Sequence, residues 1–378
     1  MLFFGIFMTL LLLVHYYIYR RFSVWLSPLS SSADRAIFAT LIFFALLFPL
    51  SRMLARASSG WYSTSLDWVA SIWLGVLFYL FLGTVLTRVS GHAVELGFRI
   101  FGRQPVLPQI NGKTIASFIL IFTAAATAAG IYFARFSIGV TSMDVPVKNL
   151  PAGFSGFRIV QISDLHIGVL IRKPMIKMIV EKVNALDPDL VVITGDLVDE
   201  EASHLDGLSD ELKKIRSKNG VLACTGNHEF YAGVEMAEKW ASKAGIEFLR
   251  NTSRLIGGGL TVYGRDDPAS SFSGLKPPTL DGMIGSTTKQ TPVILLQHQP
   301  REFEKAASLG VDIMLSGHTH KGQIFPIEYI SKLIYPRQYG RYTLGDSTMY
   351  VSSGAGTWGP PMRLGASPEI VLIKLIAK

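Results

Sequence analysis

The chain has 378 residues, 49% of them hydrophobic and 17% charged; an ordinary soluble domain carries about 25% charged residues, so part of this chain is expected in lipid. The net charge of +8 is lopsided, because residues 1–143 hold ten Lys/Arg against three Asp/Glu while the other 26 basic and 25 acidic residues nearly cancel. The second half therefore lacks the clustered positive charge that nucleic-acid binding needs, and the single Cys224 excludes disulfides and thiolate metal sites.

Four apolar segments come first: Leu2–Tyr19, Ala36–Leu50, Trp68–Leu86 and Ile115–Phe136. A bilayer core needs about 20 mostly apolar residues per helix, so the pattern predicts an α-helical membrane domain of about four transmembrane helices over residues 1–140. The second segment is the shortest, and Pro49 near its end makes it the weakest. His15 lies near an end of the first, and no other ionisable residue sits deep in a span, so no intramembrane site is expected. Arg20 and Arg21 follow the first apolar run instead of preceding it, which reads as an uncleaved anchor and not a signal peptide. Loops one and three carry seven basic residues and the opposite side four. By the positive-inside rule the chain is then an integral multi-pass cell membrane protein whose second half lies on the extracytoplasmic face.

From Thr141 to Lys378 short β-branched runs alternate with helical stretches at Lys173–Leu186, Leu208–Ser217 and Gly233–Ala244, an α/β pattern over residues 141–378. The Ser-, Gly- and Pro-rich stretch Asp266–Thr291 reads as a long surface loop. The polar residues fall at telling places. "FRIVQIS" ends at Asp164-Leu165-His166, "LVVIT" at Gly195-Asp196, "VLACT" at Gly226-Asn227-His228-Glu229, "VILLQ" at His298, and "VDIMLS" at Gly317-His318-Thr319-His320. Ligands of α/β sheets bind beyond the carboxyl ends of the strands, and five of the eight histidines stand there.

Singly, each such end is an ordinary turn or helix cap. Together they offer carboxylates (Asp164, Asp196), an amide (Asn227) and imidazoles (His166, His298, His318, His320), without thiolates. Mixed oxygen and nitrogen ligands suit Mn, Fe, Zn, Co or Ni. Seven candidates exceed the four or so that one tetrahedral ion takes and match two divalent or trivalent transition-metal ions, a pair suited to hydrolysing phosphate esters or anhydrides.

The ordered blocks "SDLH", "GDLVD", "GNHE", "QHQP" and "GHTH" resemble the motif series of the calcineurin-like metallophosphoesterases. The resemblance implies a four-layer αββα sandwich and a dinuclear metal centre. Asp164, His166, Asp196 and His320 would hold one ion, and Asp196, Asn227, His298 and His318 the other, with Asp196 bridging. It assigns His228 to the phosphate and the leaving oxygen as the catalytic group, and Asp199 and Glu229 to orienting their neighbours. The tail "YVSSGAGTWGPPMRLGASPEIVLIKL" is similar to the membrane-associated branch related to the UDP-2,3-diacylglucosamine pyrophosphatases, and by that likeness Arg363 would touch a phosphate and Trp358 would flank the pocket. The expected function is a membrane-anchored metal-dependent phosphoesterase that attacks phosphodiester, phosphomonoester or pyrophosphate bonds with a metal-activated hydroxide. Its expected partners are the lipid bilayer and a phosphate-containing small molecule or lipid substrate. The alternatives are a phosphodiesterase on soluble nucleotides, and a catalytically silent binding or sensor module of the same fold.

Overall fold

In the computed structural model residues 2–58, 60–102, 110–199, 205, 207–276, 278–285 and 291–378 are described; Arg103 and part of the 266–291 stretch lie outside them. Two compact units form, Met1–Ala129 and Gly130–Lys378. Four long helices open the chain: α1 (Leu2–Trp25), α2 (Ser31–Ala57), α3 (Trp61–Ile100) and α4 (Gly112–Phe136). Among the described residues three helices are long and apolar enough to cross a membrane, namely Ser31–Ala55, Trp61–Ile100 and Gly112–Phe136. Helix α1, whose first residues lie at the edge of the described part of the chain, is not among these three.

The weakest expected segment is a full helix of 27 residues, running through Pro49 to Ala57. In a membrane helix the carbonyl that proline leaves unpaired can be satisfied locally, so the helix continues past the ring. His15 lies mid-helix and not near an end. It is buried, its Nδ1 lies 2.8 Å from the Leu11 carbonyl, and the Trp73 indole N–H donates to its Nε2 at 3.0 Å. Both ring nitrogens are thus employed in packing.

The second unit builds two six-stranded sheets from β1 (Gly139–Val147), β2 (Arg158–Ile162), β3 (Leu190–Thr194), β4 (Val221–Cys224), β5 (Ile246–Phe248), β6 (Thr252–Ile256), β7 (Leu260–Gly264), β8 (Val293–Leu296), β9 (Ile313–Ser316), β10 (Gly340–Leu344), β11 (Ser347–Val351) and β12 (Glu369–Ala377). The first has the order β1-β12-β2-β3-β4-β5 and the second β10-β11-β9-β8-β7-β6. β2 to β5 run parallel, as do β7, β8, β9 and β11. Helices between them are α5 (Lys173–Ala185), α6 (Ser209–Leu212), α7 (Asn227–Ala232), α8 (Val234–Ser242), α9 (Leu280–Ile284), α10 (Phe303–Ser308) and α11 (Ile327–Ile334).

Strand alternation assigns each side chain to a layer. Ile159, Leu190, Val192 and Leu222 meet Ile294, Leu296, Ile313 and Leu315 between the two sheets. Their neighbours Val160, Val191, Ile193 and Ala223 face outward against α5 and α8, while Leu295, Met314 and Met349 pack on α9 and α10. Both faces of the central strands are buried, which is why they read as continuous apolar runs. The result is an α/β/β/α sandwich. Two expectations change in detail. The helical stretch Leu208–Ser217 contains only the four-residue α6, and the expected surface loop 266–291 contains α9 and a 3₁₀ turn, Pro268–Ser273, with Asp267, Ala269, Leu280 and Ile284 buried.

Candidate metal centre

Each strand end that carries a candidate ligand must turn sharply away from the sheet. Asp164 (φ 53°), His166 (50°), Asp196 (51°), His318 (72°) and His320 (48°) all sit in the left-handed backbone region, a conformation costing a non-glycine residue of order 1–3 kcal/mol. Backbone hydrogen bonds between the ends oppose that strain. Asp164 N–H donates to Gly195 O, His166 N–H to Asp196 O and Gly317 N–H to His298 O, at 3.1, 3.0 and 2.9 Å. Glycines let the turns close on one another. A methyl group at Gly226 would overlap the Asp196 carboxylate, and one at Gly317 would overlap Ser163 and Asp164.

Six of the seven sequence-predicted ligands fall into two close groups, and the seventh, Asn227, stands between Gly226, which abuts the Asp196 carboxylate, and His228, whose N–H donates to Asp196 Oδ1. Asp164, His166 and His320 form one group whose ligand atoms lie within 4.8 Å of one another, and Asp196, His298 and His318 form a second. His166 Nε2 faces His320 Nε2 at 3.1 Å, and His318 Nδ1 faces His298 Nε2 at 3.1 Å. Asp196 Oδ2 stands between the groups, 3.7 Å from His166 Nε2 and 3.2 Å from His298 Nε2. A third grouping, His166, Asp196 and His228, meets the same limit, so distance alone also admits His228 as a ligand.

The donor set fits metal ions on two counts. Asn227 Oδ1 is buried without a hydrogen-bond partner among the described residues, an orphan that a cation would satisfy. Two outer ring nitrogens already have hydrogen-bond partners, His298 Nδ1 lying 2.8 Å from Thr194 O and His318 Nε2 2.9 Å from Tyr335 Oη, while His166 Nδ1 stands 3.4 Å from Asp199 Oδ1 without a hydrogen bond among the described residues. Such partners fix the tautomer and aim the inner nitrogens at a common centre.

Electrostatics agree. Burial, with the charge of His298, pushes His318 down to about 3, so it is a neutral ring with a free lone pair at neutral pH. Burial and the neighbouring Arg363 also hold His320 well below its usual value. Burial works against a proton on His298, yet Asp196 and Asp164 keep it there, raising its pKa well above the usual imidazole range. That proton is the positive charge the two buried carboxylates demand, and a metal ion would take its place.

Around this core Glu229 organises backbone. Its carboxylate accepts the N–H groups of Asp196, Leu197, Val198 and Gly226, at 3.0, 2.7, 3.1 and 2.6 Å. Asp199 is bonded to His228 Nδ1 at 2.7 Å. Trp358 is exposed, its ring edge-on to His228 with centroids 5.9 Å apart. Arg363 departs from expectation. It is 0% exposed, and its guanidinium donates to the carbonyls of Ser353, Gly354, Gly356 and His320. With its donors engaged on the chain, it cannot present them to a phosphate; the glycine-rich turn curls its carbonyls around it instead.

Four residues near the centre were not singled out by the sequence. Tyr335 holds His318, Tyr231 packs edge-on to His228 with centroids 5.5 Å apart, and the buried Asp267 accepts from Gln299 Nε2 at 2.9 Å. Only Gln299 carried a signal, as the last polar letter of "QHQP".

The profile of the family described as calcineurin-like phosphoesterase matches residues 157–322. A Danio rerio transmembrane protein with metallophosphoesterase domain is 33% identical over 325 residues, 80% of this chain and 71% of that protein. An uncharacterized metallophosphoesterase of Helicobacter pylori is 36% identical over 223 residues, 58% of this chain and 60% of that one. One from Aquifex aeolicus is 34% identical over 265 residues, which is 69% of this chain and 99% of the relative.

Proposed function

The chain belongs to the calcineurin-like metallophosphoesterase family, and from that premise we propose a membrane-anchored phosphoesterase with a dinuclear metal centre, acting on a phosphate ester or anhydride of a lipid. The observation that carries the proposal is the convergence of Asp164, His166 and His320 on one side of Asp196, and of His298 and His318 on the other. In this reading Asp164, His166, Asp196 and His320 hold one ion, and Asp196, Asn227, His298 and His318 the second. When bound, such a pair supplies Lewis-acid neutralisation of phosphate charge and lowers the pKa of nearby water.

The chain's own groups supply the rest. Asp199 takes Nδ1 of His228 and leaves Nε2 to donate to the leaving oxygen. Burial opposes a proton on that ring, but the charge of Asp196 and the bond to Asp199 prevail and raise it to about 9, which favours the role of proton donor over that of ligand. Glu229 keeps Asp196 in register through the four N–H groups it accepts. Trp358 and Tyr231 flank the donor ring.

The lipid part of the reading is supported by the three helices in the same chain that are long and apolar enough to cross a membrane. The extracytoplasmic placement is supported by α4: Arg88, Arg99, Arg103 and Lys113 precede it and only Arg135 and Lys148 follow within the flanking stretch, so the second unit lies opposite the more basic loop. Whether α1 also crosses does not alter that parity. The test is turnover by purified, metal-loaded protein on a panel of phospholipids, lipid pyrophosphates, aryl phosphodiesters and nucleotides. Asp196→Asn and His228→Ala should abolish the activity found. Full activity in both variants would sink the proposed site.

A further inference from the structure

Helix α11 is amphipathic in the reverse sense. Tyr329, Ile330, Leu333 and Ile334 share one face at helical spacing and are 62%, 59%, 84% and 63% exposed. Glu328 and Ser331, on the opposite face, are half-buried, and no residue of α11 is buried. Large apolar side chains are stabilised by leaving water, so a face of four left outward is a surface made for a partner. It also adjoins the metal centre, since α11 leads directly into Tyr335, whose hydroxyl holds His318.

What covers this face follows from its link to α4. The backbone N–H of Arg363 donates to Gly130 O at 2.9 Å, and the next residue, Leu364, accepts from Phe325 N–H at 2.7 Å. Phe325, itself exposed, stands two residues before α11. Gly130 lies six residues before the end of α4, about 9 Å along the helix axis at 1.5 Å per residue. Over those turns α4 exposes Tyr132, Phe133 and Phe136, the aromatic residues expected where a spanning helix leaves the hydrocarbon. A hydrogen-bonded path therefore joins Gly130, in the last turns of α4, to the start of α11.

We propose that α11, with Phe325 and Trp358, beds into the lipid surface beside α4 as an interfacial helix and holds the metal centre at headgroup level. Its Tyr, Ile and Leu outward face with Lys332 at the margin matches the chemistry of such helices. The proposal deepens the phosphoesterase reading by placing the substrate's phosphate at the membrane boundary.

The experiment uses the full chain in lipid nanodiscs. Leu333→Cys is labelled with an environment-sensitive fluorophore; Cys224 is buried and does not compete. Doxyl-labelled lipids should quench the probe roughly twofold or more if it lies among acyl chains, and Ile330→Cys should behave alike. A probe at the exposed Leu255→Cys on β6 should stay unquenched. Water-like emission at 333 would overturn the proposal. So would a blue-shifted probe that lipid does not quench, which would mark a second copy of the chain as the occupant. Quenching reads position and not turnover, so this proposal and the phosphoesterase reading can fail separately.

Discussion

Arg363 grips one residue, His320, twice: Nη2 meets the ring Nδ1 at 3.0 Å and Nη1 donates to the carbonyl at 3.2 Å. The same guanidinium is bonded to Ser353, Gly354 and Gly356, so it locks the His320 turn to the C-terminal turn. Lysine keeps the charge but cannot reach those acceptors together. Arg363→Lys should lower affinity for one of two metal equivalents by about 10–100-fold, the usual effect of losing a partner that orients a ligand. Calorimetric titration of the stripped protein reads this directly; two unchanged equivalents would show that Arg363 only fills space.

Asp199 lies 2.7 Å from His228 Nδ1 and 3.4 Å from His166 Nδ1. Against the pull of burial, the Asp196 charge and this hydrogen bond raise His228 to about 9. The ring is therefore protonated at neutral pH and loses its proton as pH rises through 9, so turnover that uses that proton declines on the alkaline side. The stabilising effect of the charge is complete below an ordinary imidazole pKa of about 6.5 and is lost through the same alkaline range. Asp199→Asn should move the alkaline limb down by about one unit or more. An unshifted pH–rate profile would remove His228 from the proton-donating role.

Glu229 accepts four backbone N–H groups with its two oxygens. In Glu229→Gln an NH₂ group must face N–H donors, leaving buried groups unpaired. The expected cost is about 3 kcal/mol, with metal content reduced because Asp196 loses its anchor. Denaturant unfolding of the full chain in detergent, compared with Glu181→Gln on the exposed face of α5, measures it.

Chelation should destabilise the second unit. Asp164, Asp196, Asp199 and Glu229 are buried or nearly so within one cluster, and a ligand that binds only the folded state stabilises by about 2.7 kcal/mol at a hundredfold excess over Kd. Removing metal should therefore lower Tm, and adding back manganese or zinc should restore it. A Tm indifferent to both would argue against a resident ion.

The clustering of the proposed ligands was readable because two independent signals coincide at each of five places, an apolar run buried on both faces and a polar residue where a parallel strand ends. Asp164, Asp196, Asn227, His298 and the His318–His320 pair need no tertiary knowledge beyond that rule. Arg363 was not readable. Whether an arginine after Pro-Pro-Met faces solvent or a ring of carbonyls depends on how the Gly354–Gly356 turn folds back, and no local pattern encodes it. Tyr335 stands 17 residues beyond the histidine it holds, with a whole helix between them. For α11 the periodicity is plain, but periodicity does not say which face turns inward. Helix lengths erred where local preference was overruled: α3 continues from its apolar core through Arg88 to Ile100, and α6 stops after one turn.

The left-handed backbone at Asp164, His166, Asp196, His318 and His320 has a consequence for how this protein would age. Glycine would rest more easily at each of these five positions, so on backbone grounds alone aspartate and histidine are the costlier choice there. In a lineage that had abandoned the reaction, His318→Gly would be a gain and not a loss. The strands would remain, and these corners would soften first. A silent descendant would thus be recognisable from its letters alone, by glycines standing where this chain keeps aspartate and histidine.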